Sequence, residues 1–194
     1  MAPRTGERRL QILQTLAAML ESPRAERVTT AALAARLEVS EAALYRHFAS
    51  KAQMYEGLIE FIEQSIFGLA NKITAEEDDG LRQLHALVGM LLGFAERNPG
   101  MTRVLIGDAL VYEDERLQTR INQLHDRIEA TLKQSLRLAT TAAKAGTATA
   151  EAVDATPHAN LILAYVVGRW HQFAKSGFRR KPTELWEKQW PFLA

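Results

Sequence analysis

The chain has 194 residues, with 24 basic side chains, 23 acidic side chains and a formal net charge of +1. Hydrophobic residues make up 47% of it and it has only 11 glycines and 6 prolines, which excludes a disordered chain and predicts an ordered globule. The absence of cysteine excludes disulfides and thiolate metal sites. Because the charges nearly cancel, any case for nucleic-acid binding must rest on local patterns.

Neither the N-terminal segment nor the longest apolar run indicates export or a membrane-spanning helix. The first ten residues, MAPRTGERRL, lack the apolar run of a secretory signal. The longest apolar run, residues 161–167, is far shorter than the ~20 residues that cross a bilayer. We therefore expect a cytoplasmic protein with no membrane partner.

Helical periodicity recurs along the chain. Apolar residues three or four positions apart predict helices over about residues 7–21, 81–97 and 114–138. Ser50 and Gln53 form a capping box that starts a further long helix. No segment alternates with a period of two, so we predict an all-α fold.

The segment before the last helix is biased to alanine and threonine. We predict a mobile connection over residues 139–155, because these small side chains have little apolar surface to bury. Thr156 and Pro157 then supply an N-cap and a proline at the first helical position, which predicts a last long helix to about Ser176.

Two short helices and a turn near the N-terminus have the spacing of a helix-turn-helix. Thr29 and Thr30 are N-cap residue types before AALAARL, and residues 38–40 form a predicted tight turn. A third helix is predicted over residues 41–48. In a helix-turn-helix this third helix enters the major groove of DNA.

The side chains of the third helix fit that function. On a helical wheel Leu44 and Phe48 face inward, whereas two alanines and an arginine point away and would let the backbone approach a groove closely. The same geometry also fits a small unit with an ordinary solvated face, so both interpretations stay open. The predicted DNA-contacting residues are Thr30, Ser40, Glu41, Ala42, Ala43, Tyr45, Arg46, His47 and Lys51.

The stretch VSEAALYRHFASK, residues 39–51, resembles the signature of the TetR family of bacterial DNA-binding dimers. The blocks LIEFIEQS, LLGFAERNPGMTRVLIGDAL, RLQTRINQLHDRIEA and the terminal WPF are similar to the nucleoid occlusion factors within that family. The resemblance implies a TetR-like fold of about nine helices. It also implies a helix-turn-helix DNA-binding domain at residues 1–52 and a helical regulatory and dimerisation domain at residues 53–194, with no cofactor.

TetR-like proteins pair through their last two helices, so the resemblance implies a homodimer. A two-fold dimer presents two recognition helices and suits palindromic double-stranded DNA; whether several dimers load on one site stays open. A monomer would leave an apolar stripe exposed, although each residue of that stripe could also belong to the core of one chain. The predicted interface residues are Leu117, Ile121, Leu124, Ile128, Leu161, Tyr165, Trp170 and Phe173.

The resemblance also implies a protein partner. Nucleoid occlusion factors engage the C-terminal tail of the division protein FtsZ when bound to DNA, and ring assembly over the nucleoid is antagonised. Gly93 would allow a peptide close to its helix, and Arg97 would anchor an acidic group. Each apolar member could instead be core, and Lys72 is the candidate basic residue near Leu69. The implied groove between the fourth and fifth helices comprises Phe61, Ile62, Leu69, Met90, Gly93, Phe94, Arg97 and Asn98.

Two other classes of function compete with this one. An enzyme is disfavoured, because the five histidines are scattered and no HExxH, GxSxG or glycine-rich phosphate loop occurs. A ligand-responsive repressor on the same fold is the alternative, although a core rich in Leu, Met and Phe offers few polar groups to orient a ligand.

Overall fold

The computed structural model describes residues 5–22, 28–144 and 154–194. Within these ranges it contains nine α-helices and two short 3-10 helices and no strand, so the all-α prediction is confirmed. The α-helices are α1 (Thr5–Leu20), α2 (Thr30–Arg36), α3 (Glu41–Tyr45), α4 (Lys51–Glu76), α5 (Gly80–Arg97), α6 (Pro99–Leu105), α7 (Glu115–Lys144), α8 (Thr156–Lys175) and α9 (Trp186–Gln189); the 3-10 helices span Asp108–Leu110 and Trp190–Phe192.

Local capping explains where the N-terminal helices begin. Thr29, Ser40 and Ser50 are the N-caps of α2, α3 and α4, and each side chain accepts a hydrogen bond from the backbone N–H three residues later. The carboxamide oxygen of Gln53 accepts from the backbone N–H of Ala49 at 2.8 Å. The predicted capping box is therefore present in a modified form: the Gln53 side chain bonds to the N–H of Ala49 and not to that of Ser50.

Helix α3 is shorter than predicted, because it ends at Tyr45 and not at Phe48. The backbone N–H groups of His47 and Phe48 both donate to the carbonyl of Leu44, at 2.9 and 3.1 Å, so the chain tightens into a turn. The recognition helix thus has only five residues.

The prediction of a mobile connection was wrong for residues 139–144, which continue α7 as far as Lys144. Alanine favours the helix, and the hydroxyls of Thr140 and Thr141 donate to backbone carbonyls one turn back. The rest of that predicted connection, residues 145–153, lies outside the described residues. Thr156 is the first residue of α8 and not its N-cap, and its N–H donates to the carboxylate of Asp154 at 2.9 Å.

Helices α4, α5, α7 and α8 surround one hydrophobic core that is continuous with the N-terminal helices. Trp170 of α8 is fully buried and its indole N–H donates to the carbonyl of Leu91 in α5 at 3.1 Å. A Cβ at Gly100 of α6 would lie 1.9 Å from the carbonyl oxygen of Ala17, so α6 packs directly on α1. The proposed domain boundary after residue 52 falls in the first turn of α4, which runs unbroken through both parts.

The predicted dimer interface needs correction, because six of its eight residues are buried within one chain. The apolar stripe of α7 faces neighbouring helices of its own chain, and the inner face of α8 packs on the same core. Leu161, by contrast, is 56% exposed, and Tyr165 is half-buried with its hydroxyl donating to Gln189 at 2.8 Å. The six core residues are Leu117, Ile121, Leu124, Ile128, Trp170 and Phe173.

Candidate nucleic-acid interface and neighbouring groove

Helix α3 presents the inner face that the helical wheel predicted, but only part of the predicted outer face, because Ala43 is half-buried. Leu44 and Phe48 are buried, and they hold the helix against the N-terminal unit. Tyr45 is 44% exposed and Arg46 is also exposed. Among the predicted contact residues, Ala42 lies fully on the outer face, whereas Ala43 and His47 are half-buried. The outer face therefore combines one small side chain with a phenol and a guanidinium, a set suited to a DNA groove.

Two predicted contact residues from different helices bind each other. The hydroxyl of Thr30, at the start of α2, donates to the carboxylate of Glu41, at the start of α3, over 2.6 Å. The hydroxyl oxygen of Ser40 beside them caps α3 by accepting from the N–H of Ala43 at 3.3 Å. The structure thus brings the N-terminal ends of α2 and α3 together on one surface.

Two other predicted contacts, Lys51 and His47, have side-chain atoms that are buried within the protein. The Nζ of Lys51 lies 2.5 Å from Oε1 of Glu113, in an ion pair whose two side chains are largely buried. The Nδ1 of His47 is buried and makes no hydrogen bond. Sequence reasoning missed Glu113, which is 62 residues from Lys51 and carries no local signal of that pairing.

The residues of the implied groove between α4 and α5 divide into surface and core. Ile62 and Phe94 are buried in the core, so they support the groove and do not line it. Phe61 and Met90 are half-buried against that core, and Leu69 is 42% exposed. The apolar surface that a partner could reach is therefore narrower than the sequence suggested.

The polar end of this surface is built by one turn of α5. The exposed Arg97 folds back over Gly93, where a Cβ would lie 3.2 Å from its Nη1. The side-chain N–H of Asn98 donates to the carbonyl of Phe94 at 2.7 Å and closes the helix end. Gly93 is itself buried and lies under the Arg97 guanidinium, so the expectation that a peptide approaches the helix backbone at Gly93 was wrong: a peptide would meet Arg97 first. Lys72 is exposed and pairs with Glu76 at 3.9 Å, a weak surface pair.

A cavity lies between helices of the core, and it is too small for a drug-sized ligand. The cavity between α4, α5 and α7 measures about 10 Å³, room for roughly one water, whereas ligand pockets span about 300–1,000 Å³. Its lining is almost wholly apolar, with Ile66, Phe67, Met90, Leu91 and Leu132 among the residues. Among the described residues, no cluster of three or more His, Cys, Asp or Glu side chains could hold a metal ion. The same residues include no helix long and apolar enough to cross a membrane.

Known proteins resemble the chain over both of its parts. A family model for bacterial regulatory proteins of the TetR family matches residues 16–58, and the SlmA-like model, described as a tetracyclin repressor-like C-terminal domain, matches residues 78–194. The nucleoid occlusion factor SlmA of Marinomonas sp. (strain MWYL1) is 50% identical over 194 residues, covering 100% of this chain and 96% of the relative. That of Shewanella pealeana is 53% identical over 186 residues, covering 96% and 92%.

Solved structures share the fold at low identity. The transcriptional regulator FadR from Bacillus subtilis, in complex with stearoyl-CoA, superposes with a TM-score of 0.75 at 14% identity and covers 95% of this chain and 96% of that one. The two family models and the nucleoid occlusion factors at about 50% identity therefore define a DNA-binding regulator of the TetR class, which is not an enzyme. Since about half of its residues match these relatives along their full length, the chain belongs to the SlmA family of nucleoid occlusion factors.

Proposed function

We propose that the protein binds palindromic chromosomal sites as a homodimer and, when bound to DNA, antagonises assembly of the FtsZ ring over the nucleoid. It would act in the cytoplasm, associated with the nucleoid. The observation that carries this proposal is the identity of about 50% to nucleoid occlusion factors along the chain, and the exposed Arg97 at the end of α5 supplies a cation for an acidic peptide.

The outer face of α8 is the better candidate for the dimer interface. Six of its eight exposed residues recur at alternating spacings of four and three, the period with which two helices pair along a seam. Leu161 is the large apolar residue of this stripe, and Gly168 has no atom within 4 Å of a Cβ placed on it, so a partner helix could approach closely. The stripe comprises Pro157, Leu161, Ala164, Gly168, His171 and Lys175.

The proposed peptide surface suits an extended tail with apolar and acidic residues. Phe61, Met90 and Leu69 supply apolar area, and Arg97 supplies a planar guanidinium that can pair with a carboxylate through two hydrogen bonds. Ile62 and Phe94 belong to the hydrophobic core and are not available to the peptide. The alternative is a ligand-responsive repressor on the same fold. The cavity of about 10 Å³ between α4, α5 and α7 is too small for a drug-sized molecule, whereas an open depression of about 550 Å³ lined by Thr74, Gln83 and Gln134 would be the place to look for one.

The test is fluorescence anisotropy of a labelled FtsZ tail peptide titrated with the full chain, with and without a palindromic duplex. We expect saturable binding that DNA strengthens and that Arg97→Asp abolishes. Lys188→Asp, an equal charge reversal at an exposed site on α9, should bind like the wild type. No peptide binding with or without DNA would reject division control and leave a TetR-class DNA-binding regulator. Sedimentation of the DNA complex would then count the dimers on each duplex.

A further inference from the structure

The recognition helix is poorly supported on the side that faces α1. A recess of about 220 Å³ separates the two helices there. Five residues make little more than one helical turn, so α3 has almost no stability of its own and takes its orientation from tertiary contacts. Leu44 and Phe48 anchor its inner face, but apolar contacts alone would leave its tilt into the recess loosely defined. The recess is lined by Arg8, Ile12, Leu37, Val39, Ala43, Leu44, Arg46 and His47.

One side chain from α1 holds the far end of this helix. The Nη1 of Arg9 donates to the backbone carbonyl of His47 over 2.5 Å. The guanidinium carbon of Arg9 also lies 4.2 Å from the centroid of the Phe48 ring, which is cation–π distance. A guanidinium is planar and can stack and donate at the same time, so Arg9 constrains both the carbonyl and the ring that follow α3.

We propose that Arg9 is a positioning residue for the DNA-binding surface: it sets the angle at which α3 meets the groove without touching DNA itself. The inference rests on the DNA-binding role of the chain and not on FtsZ binding. Its neighbour Arg8 provides the contrast, because Arg8 donates to Gln11 on the same helix at 2.6 Å and makes no such link to the end of α3.

A positioning role and a direct phosphate contact have different signatures. A lost phosphate contact weakens specific and non-specific binding alike and lowers the slope of log affinity against log salt by about one. A misplaced recognition helix weakens base recognition, so it reduces specific binding far more than non-specific binding and leaves that slope unchanged. Loss of a hydrogen bond to a charged donor predicts a decrease of roughly tenfold in specific affinity.

The experiment uses a duplex that the wild-type full chain selects from a random-sequence library, and a scrambled duplex of equal length. Affinities of wild type, Arg9→Ala, Arg9→Lys and Arg8→Ala are measured at four salt concentrations. We expect Arg9→Ala to lose about tenfold on the selected duplex and much less on the scrambled one, with an unchanged salt slope. Arg9→Lys should recover part of the loss, because an ammonium can still donate to the His47 carbonyl. Arg8→Ala should retain the specific preference.

Amide hydrogen exchange of the free protein supplies a readout that requires no DNA. The amides of His47 and Phe48 should exchange faster in Arg9→Ala while those of α5 and α7 stay protected. If Arg9→Ala is unfolded, the test uses Arg9→Lys, which should prefer the selected duplex over the scrambled one less strongly than the wild type does. Three outcomes would each overturn the proposal. They are a slope of log affinity against log salt that falls by about one in Arg9→Ala, equal losses of affinity on the selected and scrambled duplexes, and wild-type affinity in both Arg9 variants. If the wild type selects no duplex, palindromic DNA binding fails instead, whatever the exchange data show.

Discussion

Lys51 and Glu113 form an ion pair, 2.5 Å between Nζ and Oε1, that joins the first residue of α4 to the loop before α7. Both side chains are largely buried, and the Lys51 ammonium also lies 5.7 Å from the ring of Tyr55. The residue predicted to contact phosphate is thus held by a carboxylate from the C-terminal part of the chain. DNA and Glu113 would compete for the same ammonium, which couples the DNA-binding end to the loop before α7.

The first prediction follows from this competition. Glu113→Gln removes the negative charge, so Lys51 should turn more readily to a phosphate. We expect DNA affinity to rise several-fold and the slope of log affinity against log salt to increase by up to about one. Titrations of a labelled duplex at several salt concentrations measure both. The double variant Glu113→Gln with Lys51→Met should lose the gain; an unchanged slope in Glu113→Gln alone would show that Lys51 does not reach DNA.

The second prediction separates the outer and inner faces of α8. Leu161→Glu places a charge on the exposed stripe, so we expect a folded monomer in light scattering after size exclusion. Trp170→Ala removes a fully buried ring and should lower the free energy of unfolding by about 3–5 kcal/mol. Leu81→Glu, a comparable exposed leucine on α5, should remain dimeric. A dimeric Leu161→Glu would place the interface elsewhere.

The third prediction concerns pH. Burial lowers the pKa of His125, although the Leu105 carbonyl and the Asp126 carboxylate oppose the shift. Its ring lies 6.0 Å from that of Trp170 and its Nε2 is buried without a hydrogen bond. The unfolded chain therefore binds the proton at higher pH than the folded one, so stability is full above about pH 6.5 and falls as the pH drops towards the lowered pKa. Thermal melting from pH 7.5 to 5.5 should show a smaller loss in His125→Phe than in the wild type; equal losses would contradict this.

The fourth prediction uses two helical glycines. A Cβ at Gly100 would overlap the carbonyl oxygen of Ala17, so Gly100→Ala should force α6 away from α1 and cost about 1–3 kcal/mol or more in unfolding free energy. At Gly68, in the middle of α4, nothing lies within 4 Å of a Cβ. Gly68→Ala should therefore stabilise the protein by about 0.5–1 kcal/mol through helix propensity alone. Denaturant unfolding of both variants measures the contrast, and similar midpoints would argue against the close contact of α6 with α1.

The sequence predicted features that depend on residues close together in the chain. The caps at Thr29, Ser40 and Ser50 were predictable, because an N-cap bonds to a backbone N–H only three residues away. The inward orientation of Leu44 and Phe48 followed from helical geometry. The end of α3 was not predictable in the same way, because no local cap or breaker marks Tyr45 as its last residue; there the N–H groups of His47 and Phe48 both donate to the Leu44 carbonyl.

Helical period identified the apolar face of each long helix but not the neighbour that covers it. The stripe containing Leu117 and Ile121 was expected at the dimer interface, with the core of one chain as the alternative, and helices of the same chain bury it. Periodicity measures direction around one helix and carries no information about which helix lies opposite. For the same reason periodicity did not show which residues of the predicted groove are exposed, and Ile62 and Phe94 lie in the core.

By itself the sequence determined the all-α class, the capped helix-turn-helix and the outer face of α3, because local hydrogen bonds and helical period set all three. Only the tertiary structure decided that Glu113 holds Lys51, that Arg9 holds the end of the recognition helix, and that Leu161 faces outward. The first two pairings join residues 62 and 38 positions apart. Such partners are selected by the packing of whole helices, which depends on the shape of the entire core and not on any one segment.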